Sequence, residues 1–229
     1  MRFLFKLFLV FFVLFLHSCK DKISTNPYYS FFYPYQQEAK VYVYRDVKQG
    51  LNEKFNRVYG IEDSYGKHIV VENYSMDGRI TDAMNYNLDS LDMMDMMVVD
   101  KQGKKQKANI SKKGFFPMYE NQVTHFLSQF PGFTDSTVIL YEVIRKIDNG
   151  TPIKTKVLGR NENTITVLDT IRMTQVNPHT KKQQQVFSVF KSYFSEGIGL
   201  VRIHDIHLKS DYQLEKIISQ QEFIQWLQK

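Results

Sequence analysis

The sequence predicts a mainly β chain built as a meander of antiparallel hairpins, with one or two helices packed on the sheet. Three observations carry this prediction. Beyond residue 39, apolar and polar residues alternate with period two in one stretch after another, the pattern of half-buried strands. The dipeptides Asp77-Gly78 and Asn149-Gly150 fall between such stretches and supply the positive φ angles that tight hairpins need. Nowhere does the spacing follow the strand, helix, strand order of a parallel βαβ unit.

The chain opens Met1, Arg2, Phe3, Leu4, Phe5, Lys6, runs through ten apolar residues from Leu7 to Leu16, and reaches His17, Ser18 and Cys19. A charged opening before a short apolar run is a secretory signal. It is too short to span a membrane, since a bilayer core about 30 Å thick needs roughly 20 apolar residues. Leu16, His17, Ser18 and Cys19 resemble the lipobox of bacterial lipoproteins: an aliphatic residue at minus three, a small one at minus one, and the cysteine that takes the lipid. His17 departs from the usual small or aliphatic residue at minus two. The resemblance implies removal of residues 1–18 and a lipid on Cys19 that holds the protein to a membrane; an ordinary signal peptide with a chance cysteine is the other reading. Cys19 is the only cysteine, so no intramolecular disulfide can form. Lys20 is not the aspartate that resembles an inner-membrane retention signal in enteric bacteria, which points to the outer membrane.

Without residues 1–18, 211 residues remain, with 28 basic and 24 acidic side chains and a formal charge of +4. That length suits one β-rich domain. The expected organisation is a signal peptide (1–18), a lipidated tether with an aromatic run (19–39) and a single β domain (40–229). Lys101, Lys104, Lys105, Lys107, Lys112 and Lys113 form the densest cluster of charge. Such a cluster attracts polyanions, but lysines also discourage edge-to-edge strand pairing, and no nucleic-acid partner is expected of an exported chain.

In the tether, Pro27 to Tyr35 reads PYYSFFYPY. Its rings suit either the headgroup level of a membrane or a plug in the mouth of the domain. From Lys40 a strand places Val41, Val43 and Arg45 opposite Tyr42, Tyr44 and Asp46. Asp77-Gly78 joins a strand at 68–74 to one starting at Arg79, and Asn149-Gly150 joins 137–148 to 151–158. Gly66 with Lys67, and 101–103, read as further turns. Residues 88–99 are ambiguous: Asp89, Asp92 and Asp95 repeat every three, while Met96 to Val99 reads as strand. Tyr119 to Phe130 carries Val123, Phe126, Leu127 and Phe130 at helical spacing, closed by Pro131-Gly132, which predicts a helix. A second helix is predicted after Ser219, which with Glu222 three residues later makes a capping box and leaves Phe223, Trp226 and Leu227 on one face.

Residues 186–206 read VFSVFKSYFSEGIGLVRIHDI. With Tyr193, Phe194, Gly197, Gly199, Leu200 and Val201 as the carrying residues, this resembles the closing hairpin of the TapB and DUF3108 group of exported β-proteins. The resemblance covers the last quarter to third of the chain. It implies a curved antiparallel sheet, an incomplete β-barrel similar to the LolA-like and LppX-like lipoprotein folds, with helices against its concave face. Members of this broad fold bind acyl chains or act as envelope proteins of undefined role.

No hydrolase elbow, phosphate loop, HExxH helix or dinucleotide fingerprint is present, so no catalytic residue and no cofactor are assigned. His204, Asp205 and His207 are the one compact set of metal-ligand types, but on a strand 204 and 207 point to opposite faces. Asp89, Asp92 and Asp95 lack the glycine and terminal glutamate of an EF-hand loop. No metal is expected. Asp89-Ser90-Leu91, Asp135-Ser136-Thr137 and Asp169-Thr170-Ile171 are similar to O-glycosylation sites of Bacteroidetes envelope proteins. Met93, Met94, Met96 and Met97, together with Phe126 and Phe130, are the candidate lining of an apolar pocket, because thioethers fill irregular space. The function expected is a non-enzymatic envelope lipoprotein that holds a lipid-like ligand. The alternatives are a scaffold of an outer-membrane complex, docking through the aromatic tether or the C-terminal helix, and a hydrolase working through two unrecognised carboxylates.

Overall fold

The computed structural model describes residues 24–50, 53–100, 102–132, 137–207 and 210–228; residues 1–18, expected to be a signal peptide, and Cys19, expected to carry the lipid, lie outside the described residues. Thirteen strands form one sheet: β1 (Lys40–Asp46), β2 (Glu53–Asp63), β3 (Gly66–Tyr74), β4 (Ile80–Asn87), β5 (Met93–Val99), β6 (Lys105–Lys107), β7 (Asn109–Lys113), β8 (Val123–Pro131), β9 (Val138–Val157), β10 (Arg160–Val176), β11 (Gln183–Ser195), β12 (Gly199–Asp205) and β13 (Asp211–Ser219). One α-helix, α1 (Gln220–Leu227), follows. The spatial order is β6-β5-β4-β3-β2-β1-β13-β12-β11-β10-β9-β8-β7, antiparallel throughout. The sheet curves into a nearly closed barrel.

The closure has a simple cause. β6 and β7 run end to end in one direction, parted only by Ala108, and β6 bonds to β5 while β7 bonds to β8. One stretch of chain thus serves both edges of the sheet. Ala108 is buried at this seam, and its N–H donates to the Met96 carbonyl at 2.8 Å. Lys104, Lys105, Lys107, Lys112 and Lys113 are exposed along the same seam, where a residual edge needs charge to deter pairing with another chain.

Alternation sorts side chains between the two faces. Tyr42 and Tyr44 of β1 point into the barrel core, whereas Val41 and Val43 point outward, yet all four are buried. The outward pair is covered by α1, whose Phe223 and Trp226 rings sit 5.3 and 4.5 Å from Phe55 of β2. The helix therefore lies on the convex face and not on the concave one that the resemblance implied. The concave side is filled instead by the aromatic run. Phe31, Phe32 and Tyr33 are 8%, 2% and 4% exposed, and the Phe32 ring meets Tyr33, Tyr86 and Phe116 edge-on at 5.1 to 5.7 Å. Two backbone contacts seat this plug: Gly197 N–H donates to Ser30 O at 2.7 Å and Gly60 N–H to Gln36 O at 2.6 Å. Gly199, at φ +98°, leaves room for it, since a Cβ there would stand 2.6 Å from the Tyr33 ring.

Two sequence expectations are corrected. Residues 123–131 form β8, not a helix: Thr124, Phe126, Ser128 and Phe130 alternate inward and Val123 is 57% exposed. Phe126 and Phe130 are four apart, a spacing that a strand face and a helix face share, and neighbouring β7 and β9 decide between them. Asn149-Gly150 makes no hairpin, because β9 runs straight through it and the ladder with β10 slips there instead. The turn falls at Leu158-Gly159, where both residues take positive φ, +48° and +82°, as a type I′ hairpin requires. The turns at Asp77-Gly78 and Gly103 lie between strands, with both glycines at positive φ, whereas the turn expected at Gly66-Lys67 falls at Ser64-Tyr65 and Gly66, at φ +107°, opens β3.

Candidate functional site

Within the barrel a cavity of about 460 Å³ remains beside the plug. Phe32 and Tyr33 form its floor. The walls come from inward positions of successive strands: Asn56 of β2, Val71 and Asn73 of β3, Asp82, Met84 and Tyr86 of β4, Tyr141 and Arg145 of β9, Asp169 and Ile171 of β10, and Phe190, Ser192 and Phe194 of β11. Leu200 and Ile203 of β12 complete the ring. Lys54, whose stem is exposed while its ammonium is crowded, and Thr81 mark the end that reaches solvent, near the β3–β4 turn. The plug enters from the opposite end, where Thr25 N–H donates to Asp89 Oδ1 at 2.9 Å and Asn26 Nδ2 donates to Pro117 O at 3.3 Å.

Most of the lining is aliphatic or aromatic, and the polar groups fall into two sets. Deep in the wall, Arg145 and Asp169 are only 6% and 4% exposed. Arg145 Nε donates to Asp169 Oδ1 at 2.5 Å and Nη2 to Oδ2 at 3.0 Å, and Ser192 Oγ donates to Oδ2 at 3.0 Å. The guanidinium carbon lies 4.0 Å from the centre of the Phe115 ring, a cation–π contact. Burial works against the Arg145 charge, but Asp169 beside it outweighs burial and raises its pKa. Nearer the open end, burial raises the Asp82 carboxyl, opposed by hydrogen bonds from Asn73 Nδ2 (2.5 Å) and Thr81 Oγ1 (2.8 Å). Burial also lowers the Lys54 ammonium, opposed by the Asp205, Asp46 and Asp82 carboxylates. Below, Asn56 Nδ2 donates to Tyr33 Oη at 3.2 Å, and Tyr44 Oη donates to Leu200 O at 2.9 Å.

None of the six residues expected to line a pocket lies on this cavity. Met93, Met96, Phe126 and Phe130 are packed core, 0 to 5% exposed. A β-bulge explains how Met93 and Met96 come to face the same way: Asn85 pairs with Asp95 and Tyr86 with Met93, so Met94 is an extra residue, and the bulge reverses the alternation beyond it. Met94 turns outward to a shallow groove with Asp95, Lys107 and Ile110, and Met97 is half-buried opposite Ala83. Arg145, Ser192, Asp82 and Lys54 went unremarked in the sequence, and Asp169 entered it only as the start of a glycosylation-like pattern. Their signal is a charge in the inward phase of an otherwise apolar strand: Arg145 among Ile139, Val143 and Ile147, and Asp169 among Ile165, Val167 and Ile171.

The acidic and histidine clusters do not converge. Asp89 holds the plug, Asp95 pairs with Lys107 at 2.9 Å, and Asp205 accepts from His207 N–H at 2.9 Å. Among the described residues no three His, Cys, Asp or Glu side chains could share a metal ion. Both surfaces expected to dock a scaffold partner are used internally, the aromatic run as plug and the Phe223 side of α1 against β1 and β2.

No protein family and no curated protein matches the chain. Two solved structures are similar to it. A protein of Parabacteroides distasonis, described as a lipoprotein, is 13% identical with a TM-score of 0.48, over 82% of this chain and 97% of that one. A Bacteroides fragilis protein described as exported, with a YmcC-like fold, is also 13% identical with a TM-score of 0.48, over 81% of this chain and 98% of that one.

Proposed function

We propose that this chain is an envelope lipoprotein, held to the outer membrane through a lipid on Cys19, that carries an apolar, lipid-like ligand inside its barrel and catalyses no reaction. The observation that carries the reading is the cavity. Its volume of about 460 Å³ falls in the range of roughly 300–1,000 Å³ usual for ligand sites, which are mostly apolar with a few placed polar groups. A cavity walled by Phe190, Phe194, Leu200, Ile171 and Met84 strips water from an aliphatic chain at no cost in unpaired polar groups along that wall. The anchor rests on the lipobox and the lone cysteine.

Native mass spectrometry tests the ligand on residues 19–229 with Cys19→Ser, exported into a bacterial envelope behind a cleavable signal peptide; the barrel, plug and helix all lie within the retained residues. A co-purifying lipid mass is expected, and a bare protein mass that stays bare on adding lipid extract would overturn the reading. For the anchor, Cys19→Ala in the full chain should abolish acyl labelling and release the protein in soluble form. Membrane retention without label would make a protein partner the anchor instead.

A further inference from the structure

The buried arginine of the cavity wall is only partly satisfied. Asp169 occupies the Nε and Nη2 side of the Arg145 guanidinium, while Nη1 is buried and has no hydrogen-bond partner among the described residues. A donor that loses water on folding and gains no acceptor is a standing cost, and native proteins keep few of them. The edge left over, Nη1 with the second N–H of Nη2, is a pair of parallel donors matched to the two oxygens of a carboxylate. The ring of Phe115 at 4.0 Å holds the guanidinium plane in place. Lys54, at the open end of the same cavity and in no ion pair among the described residues, is a cation that an entering carboxylate passes.

We propose that the occupant of the cavity is a long-chain carboxylate, a fatty acid, whose head accepts a hydrogen bond from Arg145 Nη1 and whose chain lies along Ile171 and Phe190 toward the open end. This rests on the lipid-holding reading above and names the class of ligand. The polar group is deep and the apolar wall runs outward from it, so the acid enters head first. An alkane of equal length gains the wall but leaves Nη1 unpaired.

The test uses the detergent-free chain with Cys19→Ser, the neutral dye Nile red as reporter, and displacement by hexadecanoic acid or 1-hexadecene. Arg145→Met combined with Asp169→Leu removes both halves of the ion pair, so that no lone charge is left buried, and Trp226 emission checks that the variant folds. Hexadecanoate should displace the dye from the parent at a concentration about ten-fold or more below that needed for the double variant, the worth of one charge-assisted hydrogen bond. Hexadecene should displace it equally from both. Equal displacement by hexadecanoate would overturn the proposal while leaving a lipid-holding barrel standing. If neither compound nor the dye binds the parent, the lipid-holding reading falls and takes the proposal with it. Should the double variant not fold, the parent alone decides: methyl hexadecanoate must then be weaker than hexadecanoate, and equal potency would overturn the proposal.

Discussion

Asp82 shows how a single residue couples the cavity to pH. Burial raises its carboxyl above the ordinary value, more than the Asn73 and Thr81 hydrogen bonds lower it. The folded state therefore binds the proton more tightly than the unfolded chain, and stability falls as pH rises from the unfolded toward the folded pKa. Asp211 runs the other way: burial raises it, but Arg202, bonded through Nε at 2.7 Å and Nη2 at 2.5 Å, lowers it further. Its contribution is present above the unfolded pKa and lost as pH falls through the folded one. Asp82→Asn keeps an oxygen for Asn73 and removes the titration. Its urea midpoint should gain on the parent's between pH 4 and pH 8; a gap that does not change with pH would mean that Asp82 carries no such coupling.

Among the elements, α1 depends most visibly on a local signal and a distant surface together. Ser219 Oγ accepts from Glu222 N–H at 3.2 Å, and Glu222 Oε2 accepts from Ser219 N–H at 2.7 Å. Eight residues are too few for a helix to persist alone, so docking of Phe223 and Trp226 on Phe55 completes what the cap begins. Ser219→Ala should cost about 1 kcal/mol. Phe223→Ala should cost about 3–5 kcal/mol, as for other buried aromatics, and should shift the emission of Trp226, the only tryptophan, to the red. Unchanged emission in the Phe223 variant would mean that the helix stays docked without it. The seam is the second such element: a strand of nine positions, 105–113, changes partner at Ala108 and so closes the barrel.

At the scale of the whole molecule, the two ends of the barrel differ in what they present. The plug enters beside the β4–β5 loop, where Asp89 holds Thr25, and the cavity opens at the other end, near the β3–β4 turn and Lys54. Ser24 is five positions beyond Cys19, a span of at most about 18 Å of extended chain. A lipid on Cys19 would thus hold the Asp89 end against the membrane and turn the open end away from it. With Cys19 capped by lipid, an introduced thiol is the only free one. A fluorophore on Ser90→Cys should be quenched by headgroup-attached quenchers in vesicles, and one on Asp77→Cys should not; the reverse order would mean that the mouth faces the bilayer.

Features whose causes lie within a few residues could be read from the sequence alone. The period-two alternation, the glycine turns at 78 and 103 and the Ser219–Glu222 cap each depend on neighbours in the chain, so the mainly β class followed without a fold. Only the tertiary structure decided what depends on partners far apart. Phe126 and Phe130 suit a strand or a helix equally until β7 and β9 flank them, and Asn149-Gly150 suits a hairpin until β10 pairs across it. The bulge at Met94, which sends Met93 and Met96 into the core, exists only against β4. Arg145 and Asp169 are 24 residues apart, each a lone charge in an apolar strand phase, and adjacent pairing of β9 with β10 turns two local anomalies into one ion pair on the cavity wall. The aromatic run fitted a membrane surface or a barrel mouth equally well by chemistry; Gly60 and Gly199, which leave space for Tyr35 and Tyr33, place it inside, because a ring finds its burial wherever the fold leaves room.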